Sequence, residues 1–357
     1  MADRARAQGG LWTRRRTLLA SAGLLAGGGP PLVACARAPE AVMWDAFKGR
    51  FLAADGRILD TTGGGVSHTE GQGFSMFLAA SHDDRPAFEL MWNWTQAHLA
   101  RRQDGLFSWR YDPRAPETVA DLNNATDGDI FIAWALLRAG RRWGERRYIQ
   151  ASGRIQKAIK RHLVTEIAGR RLLSPGLEGF RTDDYLTYNP SYFVAPALQA
   201  FQGAGPQEGW SRIISDGLAE ARAARFGEPR LPGDWTRRTS DGQSVLEPTR
   251  PPRFGFDAIR APFYLAWAGL RDHPQVQAAA AFWRPYLEAN TAPPAWVDLN
   301  TGETADFRMS LGATAMARFV ADPERSPNPH GQGVHEEDYY SAVLELLASV
   351  ARADQSA

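Results

Sequence analysis

Apolar residues recur every three or four positions along most of this chain. Over residues 87–102, Phe88, Met91, Trp92, Thr95 and Leu99 fall on one side, which predicts an amphipathic helix. The same period predicts helices over 129–140, 148–165, 192–203, 210–224, 257–269, 274–288, 306–320 and 337–353. Shorter runs at 45–51 and 73–80 bring the total to about eleven, joined by Gly- and Pro-rich loops, with little strand-like alternation. An evenly spaced all-α chain fits a toroid of helical hairpins, the (α/α)6 barrel, whose long loops at one end shape a cleft. A helical solenoid has the same periodicity, although no strict repeat is visible.

Composition supports a packed body. Of 357 residues, 44% are hydrophobic, and 12 Trp, 9 Tyr and 17 Phe make aromatics abundant, which excludes a disordered or collagen-like chain. No linker or compositional break follows residue 38, so residues 39–357 are expected to form one domain. Charge divides less evenly. Six arginines and one acid give residues 1–38 a net of +5, leaving −4 for the remainder within the chain's total of +1. A mildly acidic body argues against nucleic-acid partners, which are gripped by surplus cations, and suits a neutral substrate.

Residues 1–38 read as an export signal. Arg14, Arg15 and Arg16 precede a mostly apolar stretch to Gly29 that is too short to span a membrane comfortably. Arg15-Arg16 followed by Thr17-Leu18-Leu19 resembles a twin-arginine signal, with ordinary secretion as the alternative. Leu32-Val33-Ala34-Cys35 resembles a bacterial lipobox, which implies cleavage before Cys35 and a lipid anchor on it; cleavage after Ala38 is the other reading. Cys35 is the one cysteine, so neither a disulfide framework nor a Cys-based metal site is expected. The body is expected to work outside the cytoplasm, in the periplasm or beyond.

Three acidic clusters stand apart from the charged background because Gly, aromatic and amide residues surround them. Glu70, in His68-Thr-Glu-Gly-Gln-Gly-Phe-Ser-Met76, precedes an apolar helix, where an acid also serves to complement the helix dipole. Asp127 and Asp129 lie two apart at the mouth of another, without the later ligands of a calcium loop. Thr126 or Asp129 is expected to cap that helix, leaving Asp127 to face a cleft. Asp257 and Arg260, three apart, are expected to share a helical face as an ion pair, and an adjacent cation favours the ionised form that a proton acceptor needs.

In this order the strings resemble glycoside hydrolase family 8, especially the periplasmic endo-β-1,4-glucanases that accompany bacterial cellulose synthesis. The matches are Glu70-Gly-Gln72 with Met76, Thr126-Asp-Gly-Asp129, Asn189-Pro-Ser-Tyr192 and Asp257-Ala-Ile-Arg260. The resemblance implies an (α/α)6 barrel that cuts β-1,4-linked glucan with inversion, without metal or organic cofactor. Glu70 would be the general acid, Asp257 the base that activates water, and Asp127 the group that holds the sugar at the cleavage point. Arg260 would orient or charge-stabilise Asp257. An inverting enzyme pairs one protonated carboxyl with one ionised carboxylate across a gap that admits a water, as this assignment requires.

Aromatic rings suit sugar faces. Trp109, on a loop after a helix, is the first candidate for substrate binding, with Tyr188, Tyr192 and Gln72 beside the matched motifs, whereas Trp92, Trp134 and Trp267 fall on helices and are expected in the core. Phe256 stands where relatives often carry Tyr before the base, so that hydroxyl is absent or supplied from elsewhere. The partners implied are a β-1,4-glucan, a membrane if Cys35 is acylated, and a cellulose-synthesis machinery. Xylan, mixed-linkage β-glucan or chitosan as substrate, and a non-catalytic glucan-binding role, are the competing readings.

Overall fold

The computed structural model describes residues 39–101, 103–205, 207, 209–322 and 331–356, so the export segment and Cys35 lie outside the described residues. Twelve α-helices run through them: α1 (Pro39–Phe51), α2 (Thr69–Ser81), α3 (Arg85–His98), α4 (Thr126–Trp143), α5 (Arg146–His162), α6 (Ala195–Ala204), α7 (Trp210–Ala223), α8 (Arg260–Trp267), α9 (Pro274–Glu288), α10 (Leu311–Ala321), α11 (Gln332–Glu336) and α12 (Tyr339–Ser356). The even-numbered helices touch in sequence, α2 on α4, then α6, α8, α10 and α12, and α12 returns to α2. That closes an inner ring of six. Outside it α3, α5, α7, α9 and α11 each pack on the helix before them, and α1 packs on α12. The fold is an (α/α)6 barrel, and closure of the ring separates it from an open solenoid.

Hydrophobic pattern assigns each helix to its ring. Inner helices are covered on both sides and are apolar nearly all round. All eight residues of α8 are buried, as are Gly71 through Ala80 of α2. Outer helices need only one apolar stripe; in α5 it is Tyr148, Ala151, Ile155 and Ile159. Trp92, Trp134 and Trp267 are buried in the core as expected. Gly73 and Gly128 let α2 and α4 approach closely: a Cβ on Gly73 would come within 2.7 Å of Phe131 Cβ, and one on Gly128 within 2.2 Å of Thr69 Oγ1.

The helix positions follow the apolar period, but several ends differ from expectation. The run over 148–165 breaks at His162, and β3 (Val164–Ile167) pairs with β4 (Arg170–Leu173) across Ala168 and Gly169, both at positive φ. The helix expected from residue 306 starts at Leu311, capped by Ser310 Oγ at 3.2 Å from the Ala313 N–H. Residues 190–192 form a 3₁₀ turn ahead of α6. Asp257 falls on a turn before α8, so it shares no helical face with Arg260. Short strands precede three inner helices: β1 (Ser67–His68), paired with β2 (Arg110–Tyr111), leads into α2. The sheet of β5 (Tyr185–Tyr188), β6 (Thr236–Thr239) and β7 (Ser244–Leu246) leads toward α6, and β8 (Arg253–Phe254), paired with β9 (Val297–Asp298), leads toward α8.

Candidate active site

The beginnings of α2, α4, α8 and α12 converge at one end of the barrel. Glu70 lies in the first turn of α2, one step further into the helix than expected, and His68 caps that turn, its Nδ1 accepting from the Gly71 N–H at 3.3 Å. His68 Nε2 faces Asp60 Oδ2 at 3.5 Å, a contact that, as the largest cause, draws the Asp60 carboxyl below the usual range. Thr69 N–H donates to the Trp109 carbonyl at 2.9 Å and Trp109 N–H to the Asn123 carbonyl at 2.9 Å, so the Trp109 loop is bound to both the Glu70 and Asp127 segments.

At the start of α4 neither expected cap acts. Ala125 occupies the N-cap without a side-chain bond, Thr126 Oγ1 donates to the Ser174 carbonyl at 2.6 Å, and Asp129 is fully buried. Asp129 accepts from Phe107 N–H at 3.0 Å and Asn124 Nδ2 at 2.7 Å, and burial pushes its carboxyl up to about 8. It fastens the loop leading to Trp109. Asp127, 3% exposed, lies at the floor of the cleft. Burial, followed by the charge of Glu70, pushes its carboxyl well up.

Arg260, 2% exposed, joins the three acids. Nη1 binds Glu70 and passes 3.8 Å from Asp127, while Nη2 binds Asp257 at 2.6 Å. Burial works against its charge, but the surrounding carboxylates, Glu70 foremost, hold it well above its usual value. Helix N-termini add positive partial charge on the same side. Three acids share one site because a buried guanidinium offers its separate nitrogens to them.

The cleft over Glu70 and Asp127 encloses about 380 Å³, with His68, Trp109 and Tyr192 also among its lining residues. Trp109 Nε1 donates to Asp121 Oδ2 at 2.7 Å, which steadies the indole at the cleft wall. Burial and then the charges of Asp127, Glu70 and Asp257 push the Tyr192 phenol well up, marking its place beside the acids. Two expected binding residues are elsewhere. Gln72 is completely buried, with Oε1 accepting from Ile58 N–H at 2.6 Å and Nε2 donating to Thr95 Oγ1 at 3.0 Å and Gly56 O at 3.2 Å, so its amide ties elements together. Tyr188, 7% exposed, donates its hydroxyl to Glu220 at 2.8 Å behind the cleft. Their motifs point to the site while these side chains point into the packing.

Some neighbours of the site carried no usable sequence signal. Tyr340, in the first turn of α12, donates to the Phe256 carbonyl at 2.6 Å, bringing a phenol to the turn where Phe256 lacks one. Asp234 accepts three main-chain N–H groups around Asp257. Both lie far along the chain from the residues they meet. His68 could have been singled out only by its place two residues before Glu70.

Fold and site together define a helical-barrel protein whose cleft is lined by Glu70 and Asp127, with Asp257 joined to Glu70 through one buried arginine. The model of the glycosyl hydrolases family 8 matches residues 32–354. An endoglucanase of Cellulomonas uda is 42% identical over 282 residues, 78% of this chain and 77% of that protein. Among solved structures, a family 8 endoglucanase from Klebsiella pneumoniae superposes with a TM-score of 0.84 at 41% identity, covering 88% of this chain and 99% of that one. An endo-β-1,4-glucanase from Acetobacter xylinum gives 0.81 at 36% identity, with 90% and 100% covered. The chain belongs to glycosyl hydrolase family 8.

Proposed function

We propose that this protein is an exported endo-β-1,4-glucanase that hydrolyses internal bonds of cellulose or a related glucan with inversion at the anomeric carbon. The observation that carries the reading is the binding of Glu70 and Asp257 to separate nitrogens of Arg260, with Asp127 3.8 Å from the first. The relatives named endoglucanase support the activity and the bond. Glu70 gives its proton to the glycosidic oxygen as the bond to the anomeric carbon breaks. A water attacks that carbon from the opposite face and yields its proton to Asp257. Asp127 holds the sugar at the cleavage point through its hydroxyls, and Arg260 keeps the two working carboxyls in register. Trp109 and Tyr192 offer ring faces to glucose units.

Export through residues 1–38, with Cys35 acylated, would tether the enzyme in the periplasm, close to glucan emerging from a cellulose-synthesis machinery. Mass spectrometry of the mature N-terminus tests the anchor; an unmodified terminus at Pro39 removes it. For the chemistry, Glu70→Gln is expected to lower turnover about 10²- to 10⁴-fold while cello-oligosaccharide binding persists. Undiminished hydrolysis would sink the acid assignment. Anomeric NMR of the first product reads inversion. Sugar release from carboxymethylcellulose, xylan, lichenan and chitosan, compared side by side, reads the substrate.

A further inference from the structure

Asp257 sits on a turn between β8 and α8, and one partly buried carboxylate organises that turn. Asp234 Oδ1 accepts the N–H groups of Gly255 at 3.0 Å, Asp257 at 3.2 Å and Ala258 at 2.8 Å. Asp234 is itself fastened to the strand before the turn, its N–H donating to the Arg253 carbonyl at 2.7 Å. The fit is close: a Cβ on Gly255 would come within 2.9 Å of Asp234 Oδ2 and 3.2 Å of Trp296 Cβ. Convergent main-chain N–H groups are an anion-binding arrangement, here filled by a side chain of the same protein. The turn runs on into α8, with Ile259 N–H donating to the Gly255 carbonyl at 3.1 Å and Arg260 N–H to the Asp257 carbonyl at 3.1 Å.

We propose that Asp234 is a positioning residue for the hydrolysis, its carboxylate fixing turn 255–258 and so the point at which Asp257 meets the attacking water. This rests on the assignment of Asp257 as base. Hydrogen bonds to the main chain of a turn govern where its side chain starts, and small displacements of a reacting group are costly in rate. The arrangement also carries an electrostatic consequence. Burial, with the charge of Asp257 added, pushes the Asp234 carboxyl up to about 6, against the pull of the three N–H groups. The other groups around Asp257 are Arg260 from α8, Glu70 from α2 and Asp127 from α4, with the phenols of Tyr192 and Tyr340.

The test compares Asp234→Ala, Asp234→Asn, Gly255→Ala and Asp257→Asn in the whole protein, using carboxymethylcellulose from pH 4 to 9, with cello-oligosaccharide binding and circular dichroism. Asp234→Ala is expected to lower kcat at least about tenfold while KM and oligosaccharide affinity stay within about twofold. Asparagine retains the accepting oxygen, so Asp234→Asn should restore kcat to within about threefold of the natural protein. Gly255→Ala, which crowds the carboxylate from its seat, should repeat the kcat loss. A fully active Asp234→Ala, or an Asn variant no better than Ala, overturns the proposal. If the Ala variant fails to fold, the near-natural kcat of Asp234→Asn beside the kcat loss in Gly255→Ala still decides. Full turnover in Asp257→Asn would overturn the base assignment itself, whereas an inactive Asp257→Asn beside indifferent Asp234 variants would overturn only the role of Asp234.

Discussion

Arg260 meets Glu70 with one nitrogen and Asp257 with the other, so its planar fork, beyond its charge, sets the relation between the two carboxyls. A lysine carries one ammonium and cannot reproduce that relation. Arg260→Lys is therefore expected to reduce kcat/KM by ~10²-fold or more, measured on a soluble cellulose derivative, although the positive charge is kept. Asp129 sets a different demand, because both of its oxygens accept, one from Phe107 N–H and one from Asn124 Nδ2. Asp129→Asn turns one acceptor into a donor facing a donor, and should lower stability by about 1–3 kcal/mol in urea unfolding. The carboxylates were legible in the sequence because acids amid glycine and amides are conspicuous. Gln72 and Tyr188 were misassigned because adjacency in a motif does not say which way a side chain points.

Among the elements, α2 and α4 carry Glu70 and Asp127 and pack through small residues. On Gly128 a methyl group would meet Thr69 Oγ1 at 2.2 Å and the Thr69 main-chain carbon at 2.8 Å, immediately before Glu70. Gly128→Ala is expected to cost about 1–3 kcal/mol and to lower kcat as well, because the strain falls on the turn that aims the acid. Gly153, on outer helix α5, would have nothing within 4 Å of an added methyl. There Gly→Ala should raise stability by about 0.5–1 kcal/mol and leave kcat alone, so thermal melts and kinetics on the pair separate the two rings. Helix identity was readable from the 3.6 period. The starts were less so, since the turn leading into α8 is held by Asp234, more than twenty residues upstream.

Across the whole molecule, opposed titrations bound the pH of greatest stability. Burial raises Asp234 to about 6 and Asp129 to about 8, from an ordinary 3.8. The folded state then holds protons that the unfolded chain has released, so stability falls as pH rises from about 4 toward 8. Glu247 acts in the other direction. Despite burial, its bonds to Thr187, Arg237 and Thr249 draw it down to about 2 from 4.5, and its contribution, present above 4.5, is lost as pH falls through 2. On these groups the melting temperature is expected to peak near pH 4 and to fall from there toward pH 8. A melt that keeps rising to pH 8 would contradict the burial of these two aspartates.

The sequence determined the helical period, the likeness to family 8 and three acidic residues, because each is written locally in spacing and residue type. Closure of six inner helices into a ring, the seating of Arg260 among the acids, and the service of Asp234 and Tyr340 to the Asp257 turn were decided by tertiary structure alone. Those relations join residues from tens to more than 250 positions apart, and their energetics depend on burial, which no local pattern encodes.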